Sequence, residues 1–236
     1  MDKQHVIFED LGKMDYKVAW DYQEKLLQEN VAIKSNAKFQ ESSTNHYLLF
    51  VEHPAVYTLG RSGKMENVLL NEKQLEEKGI QFFRTNRGGD ITFHGEEQIV
   101  GYPILDLEKF YTDIGKYLRN LEEVIILTLK EYGIIGSRSS GETGVWIDPE
   151  ILGKERKICA LGVRTSRWIT MHGFALNVNT DLTYFNNIVP CGIQNKQVTS
   201  IEKELSVKID LEEVKKKVKD NFEKVFHVTL LNKIQD

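Results

Sequence analysis

The sequence predicts an α/β fold with α+β layering, in which helices pack on a mixed β-sheet. Three observations predict it. Apolar strand-like runs recur along the chain, at residues 46–52 (HYLLFVE) and 98–107 (QIVGYPILDL) among others. Between them lie segments whose apolar residues repeat with helical spacing. With 41% hydrophobic residues and four prolines in 236 residues, the chain can bury one substantial core, so a single domain over residues 1–236 is expected.

The elements follow in order. Residues 15–31 read as an amphipathic helix with Val18, Tyr22 and Leu26 on its apolar face. Residues 46–52 and 56–59 read as buried strands separated by the extended His53-Pro54 pair. A short polar helix over 71–78 is stopped by Gly79, and 80–84 is a strand. Asp113 caps a helix reaching about Tyr132, with Ile114, Tyr117, Leu118, Leu121, Val124, Ile125 and Leu129 along one side and Gly133 as its stop. Residues 137–154 hold Gly141, Gly144, Pro149 and Gly153, which suggests turns around one short strand (VWID). Residues 157–178 read as two strands joined near Arg167. Asp210-Leu211-Glu212-Glu213 reads as a capping box, followed by the stripe Leu211, Val214, Val218, Phe222 and Val225.

Composition excludes several classes. A net charge of -4 provides no overall basic field for coating nucleic acid. No apolar run approaches the roughly 18–20 residues needed to span a bilayer. The opening MDKQHVIFED has no signal-peptide pattern, and two cysteines, Cys159 and Cys191, are too few for a disulfide framework. A soluble cytoplasmic protein, without nucleic-acid or membrane partners, is the expectation.

Three stretches are candidates for chemistry. In Arg87-Gly88-Gly89-Asp90-Ile91-Thr92-Phe93-His94-Gly95, paired glycines allow close backbone approach to a ligand, or simply a tight turn into a strand. On that strand Thr92 and His94 share a face. In Lys157-Ile158-Cys159-Ala160-Leu161-Gly162, a lysine enters an apolar strand. It either holds a function or snorkels from the strand's end, and alternation puts it on one face with Cys159. Val189-Pro190-Cys191-Gly192 sets a thiol on a sharply shaped loop, where it can be presented instead of packed; Cys159 reads as a small core hydrophobe.

Taken with His172-Gly173-x-x-Leu176-Asn177-Val178, these motifs closely resemble the lipoyl(octanoyl) transferases in order and spacing, from about Tyr57 to Ile201. The resemblance implies the mixed-sheet fold of the biotin and lipoate protein ligases. It implies octanoyl transfer from octanoyl-acyl carrier protein to a lysine of a lipoyl domain. Expected acceptors are the E2 subunits of 2-oxoacid dehydrogenases and the glycine cleavage H protein. It places the nucleophile on Cys191 and its partner on Lys157. It places substrate-binding segments on Arg87, Gly88, Gly89, Asp90, Ile91, Thr92, Phe93 and His94, on Ala160, Leu161 and Gly162, and on Gly173, Phe174 and Ala175. No metal or cofactor is implied. One departure is visible: family members often carry Gly-Pro-Gly after the histidine, where this chain has Gly95-Glu96-Glu97.

Those residue types suit the reaction. A thiol of ordinary pKa, ~8.5, is only a few per cent thiolate at neutral pH, and an adjacent ammonium favours the thiolate. Neutral Lys157 could then take the proton of the acceptor amine. Lys154, Arg156, Lys157, Arg164 and Arg167, with Arg61 and Lys64, form the expected landing patch for an acidic carrier. Competing readings are an ATP-dependent lipoate or biotin ligase, which has no use for the Pro-Cys-Gly element, and a non-catalytic carrier-binding module. A zinc site at His94, His172 and Cys191 lacks metal-ligand spacing.

Overall fold

The computed structural model describes residues 3–35, 43–189 and 197–233. In chain order it contains β1 (Gln4–Lys13), α1 (Tyr16–Ser35), β2 (Tyr47–Glu52), β3 (Val56–Leu59) and α2 (Glu72–Glu77). Next come β4 (Gln81–Arg84), β5 (Ile91–His94), β6 (Gln98–Ile104), α3 (Ile114–Lys130), β7 (Ser137–Ser139) and β8 (Glu142–Ile147). The remainder is β9 (Arg156–Ser166), β10 (Ile169–Asn177), β11 (Gln197–Val198), α4 (Ile201–Leu205), α5 (Leu211–Phe226) and β12 (Val228–Asn232).

Among the described residues, one mixed sheet runs β12-β1-β2-β6-β10-β9-β8-β7, with β11 paired to β9; a smaller sheet runs β4-β3-β5. Alternation along the central strands sends residues to two separate cores. Leu48 and Phe50 of β2 join α3 and α5 through Leu121, Val124, Val218 and Phe222. Leu49 and Val51 join α1 through Ala19, Leu26 and Leu27. Covered on both faces, β10 is buried throughout, its polar residues Thr170, His172 and Asn177 included. A third cluster, with Tyr57, Ile91 and Phe93, fills the space behind the small sheet.

Several local signals act as their residues dictate. Asn71 and Gln74 close a reciprocal capping box on α2, and Gly79 follows with φ +64°. Asp113 caps α3 by accepting from the Lys116 N–H. Arg167 and Trp168 both have positive φ, the conformation of a two-residue hairpin turn between β9 and β10. Asp210 caps α5 through the Glu212 N–H, a simple cap in place of the expected capping box.

Three expectations need correction. The 137–154 region holds a hairpin of two strands, β7 and β8, instead of one short strand. Strands β1 and β12, at the sheet's far edge, had no counterpart in the sequence reading. Helix α1 extends to Ser35, and its buried face is Tyr16, Ala19, Gln23, Leu26, Leu27 and Asn30, while Val18 is 54% exposed. The phase was misread because two polar residues belong to that face. Asn30 exchanges hydrogen bonds with the Asn45 backbone at 2.8 and 2.9 Å, and Gln23 Oε1 accepts from the His172 N–H at 2.9 Å.

The corrected face is directly testable by urea unfolding. Leu27→Ala is expected to destabilise by about 2–5 kcal/mol, and Val18→Ala by less than about 0.5 kcal/mol. The reverse ranking would contradict the packing.

Candidate functional site

A cavity of about 640 Å³ lies between the small sheet, β9, β10 and α3. Arg87, Gly88, Gly89, Asp90, Ile91, Thr92 and His94 line it from one side. Lys157, Ala160, Leu161 and Gly162 line it from β9, and Gly173, Phe174 and Ala175 from β10. Phe93 is the exception. Strand alternation turns it away from the cavity, where it stacks on Tyr184 at 4.6 Å and packs beside Tyr57. Cys191 lies outside the described residues.

Glycine is required where the backbones meet. The Gly88 N–H donates to Val163 O at 2.9 Å, and a Cβ on Gly162 would stand 2.7 Å from Gly88 O. A Cβ on Gly173 would collide with Gly101 O. The Gly95-Glu96-Glu97 turn explains the family's second glycine: Glu97 takes φ +59°, a conformation glycine adopts without strain. Its N–H donates to Glu52 Oε2 at 3.0 Å, and its carbonyl accepts from the Asn179 N–H at 3.1 Å.

A directional hydrogen-bond chain crosses the site. The Arg87 guanidinium donates to Thr58 Oγ1 at 2.9 Å, and Thr58 Oγ1 lies 3.3 Å from His94 Nε2. His94 Nδ1 lies 3.0 Å from Gln98 Oε1, so Nδ1 carries the proton and Nε2 accepts from the threonine hydroxyl. Gln98 Nε2 donates to Asn177 Oδ1 at 2.8 Å, and Asn177 Nδ2 to Thr199 O at 2.9 Å. Burial, with help from His53 and Arg87, holds His94 neutral, its pKa well below the ordinary value. Burial, then Arg87 and Arg164, pushes His172 down to about 3.

Lys157 sits at the other end of the cavity. Its ammonium stands 4.5 Å from the centre of the Trp146 ring, and its Cε lies against Gly144. The β8–β9 register shifts between Val145↔Cys159 and Trp146↔Lys157, which interrupts the alternation expected to align Lys157 with Cys159. Cys159 is wholly buried with Ile158 and Leu176, and burial pushes its thiol pKa up. It is packed as a core residue.

The expected landing patch is dispersed. Arg156 forks onto Glu204 with both contacts at 2.6 Å and also meets Asp148, while Arg164 pairs with Glu24 at 2.9 Å. Lys157 belongs to the cavity. Lys154 and Arg167 are exposed at opposite ends of the eleven-residue β9, roughly 35 Å apart at the usual strand rise. Arg61 and Lys64 remain exposed, on the turn whose Ser62 lines the cavity.

The sequence reading missed Tyr16, Tyr102 and Trp146 as site residues. Tyr16 and Tyr102 line the cavity, whereas Trp146 lies beneath Lys157. No local pattern marks them, because tertiary placement alone brings them there, Tyr16 from α1, Tyr102 from β6 and Trp146 from β8.

The lipoyl protein ligase A/B catalytic domain family matches residues 15–223. This chain belongs to that family. It is 60% identical over 228 residues to the octanoyltransferase of Flavobacterium psychrophilum, covering 94% of this chain and 97% of the relative. The fold is shared with a bi-partite lipoate protein ligase from Thermoplasma acidophilum, at TM-score 0.69 and 18% identity over 100% of this chain and 88% of that one. It is also similar to the biotin protein ligase from Aquifex aeolicus in complex with biotin and ATP, at TM-score 0.53 and 15% identity over 94% of this chain and 70% of that one. The architecture is thus that of the lipoate and biotin protein ligases, as the sequence led one to expect.

The buried histidines set a pH dependence for stability. Burial pushes His46 and His53 down to about 4, alongside His94 and His172. Each folded pKa lies below the unfolded value, so the unfolded chain binds more protons in between. Stability is therefore complete above about pH 6.5 and falls toward pH 4 by up to about 1.4 kcal/mol per pH unit for each histidine. Urea unfolding at pH 7.5 and 5.5 measures this, and equal stability at both would contradict the buried neutral cluster.

Proposed function

We propose that this chain is an octanoyltransferase acting as one cytoplasmic catalytic domain over residues 1–236. It moves an octanoyl group from octanoyl-acyl carrier protein to a lysine of lipoyl domains, through a thioester on Cys191, as the first step of lipoate assembly on protein. The acceptors are the lipoyl domains of 2-oxoacid dehydrogenase E2 subunits and the glycine cleavage H protein. The observation that carries this reading is convergence. Motif segments spread from Arg87 to Ala175 line one cavity that holds the Lys157 side chain, and relatives at up to 60% identity are named octanoyltransferase.

The chemistry balances with Lys157 and Cys191 alone. The Cys191 thiolate, favoured by the Lys157 ammonium, attacks the donor thioester and expels the carrier's thiolate. That thiolate takes a proton from Lys157 and leaves as a thiol. The acceptor amine then attacks the acyl-enzyme, gives its proton to neutral Lys157 and expels the Cys191 thiolate. An amide has formed, and the ion pair is restored. No nucleotide is consumed, because the donor thioester is already activated. Ile114, Leu118, Leu161, Val163 and Phe174 give the cavity an apolar wall for the acyl chain.

Intact-mass spectrometry after mixing with octanoyl carrier protein tests the reading. One octanoyl adduct is expected, mapping to Cys191, lost in Cys191→Ser and kept in Cys159→Ala. Transfer to a lipoyl domain should proceed without ATP. An adduct on Cys159, or acceptor modification that requires ATP and free octanoate, would overturn it.

A further inference from the structure

Lys157 does not stand on β9 unaided, and its support comes from residues that no motif marks. Trp146 pairs with it directly across the β8–β9 ladder, at the register shift, and is 2% exposed. The ammonium stands 4.5 Å from the centre of the indole ring. At that distance the negative face of the ring attracts the cation, most strongly where water is excluded. Below the stem, Gly144 has φ +129°, and a Cβ there would stand 3.3 Å from Lys157 Cε and 2.8 Å from Cys159 O. Only glycine lets the lysine stem lie down on β8.

Gly144 is itself pinned from the helix layer. Its N–H donates to Glu122 Oε1 at 3.0 Å. The Glu122 side chain is fully buried on α3, and its other oxygen is held by Arg119 at 2.7 Å and Arg138 at 3.1 Å. A glutamate on the buried side of a helix is costly unless both oxygens are used, and here they are. The two arginines, the carboxylate and the Gly144 peptide thus fix the strand on which Lys157 rests.

We propose that Trp146 is a positioning residue for the transfer reaction: with Gly144, braced by Glu122, it forms a seat that holds the Lys157 ammonium in place. This rests on the proposed Cys191–Lys157 chemistry and adds to it a cation–π partner and a backbone rest. The indole acts through Lys157, so its removal costs acylation rate and leaves substrate affinity alone.

A double-mutant cycle tests the seat, with single-turnover acylation by an octanoyl thioester measured in wild type, W146L, W146F, K157A and W146L/K157A. W146L should slow acylation about tenfold, the scale of a partly buried cation–π contact, with KM unchanged. W146F, which keeps an aromatic face, should recover part of that loss. Adding W146L to K157A should cost nothing further, because the seat has nothing left to hold. A loss that multiplies in the double variant would make Trp146 merely structural and overturn the proposal. So would wild-type acylation by W146L where K157A is slow, which leaves the dyad standing. Wild-type acylation by K157A would overturn the dyad, and the seat with it. Should W146L fail to fold by circular dichroism, W146F against W146F/K157A answers the same question.

Discussion

An arginine buried to 7% exposure must have its guanidinium hydrogen-bonded closely, and the way Arg87 meets that demand builds the cavity. It donates to the carbonyl and hydroxyl of Thr58 and to Gly88 O, tying the Gly88-Gly89 loop to β3. The same loop bonds to Val163 of β9. Arg87 and the glycine pair thus help to join the small sheet to the main sheet, with the cavity at the joint. From Thr58 the hydrogen bonds continue through His94, Gln98 and Asn177 to the Thr199 carbonyl, beside β11. Every donor in that chain points the same way, so each bond polarises the next. The neutral state of His94 follows from its place in the chain and its burial.

The two ends of the cavity handle charge differently. At the Arg87 end, histidines are kept neutral by burial and by the cation beside them. At the Lys157 end, an ammonium is accommodated against an aromatic face, with its stem on a glycine. Elsewhere on β9 the cations are spent in ion pairs that fasten the strand to α1 and α4, as with Arg164–Glu24 and Arg156–Glu204. A run of basic residues in sequence thus becomes three separate structural roles.

Much of this was legible in the sequence where the chain breaks its own pattern. Glycine pairs before a strand, a lysine in an apolar run and a cysteine between proline and glycine stand out locally, and most of the segments around them line the cavity. Phe93 was legible as part of its motif but not in its direction, which follows from alternation on β5. What sequence hides is tertiary exchange. Gln23 and Asn30 read as surface residues until the backbone groups of His172 and Asn45 meet them. Glu122 reads as a flaw in an apolar stripe until Gly144, Arg119 and Arg138 meet it. Strands β1 and β12 carry mixed runs placed only by tertiary pairing, β1 against β2 and β12 against β1.

In the proposed reaction Lys157 plays two parts, charge partner of the thiol and proton acceptor for the amine. Lys157→Arg separates them, because arginine keeps the charge and does not deprotonate in proteins. Rapid-quench kinetics on this variant resolve the two parts by following acyl-enzyme build-up and decay separately. Acylation of Cys191 should persist at a reduced rate, while decay onto the lipoyl-domain lysine becomes severely slow, so that acyl-enzyme accumulates. Transfer at the unmodified rate would contradict the account and leave Lys157 acting by charge alone.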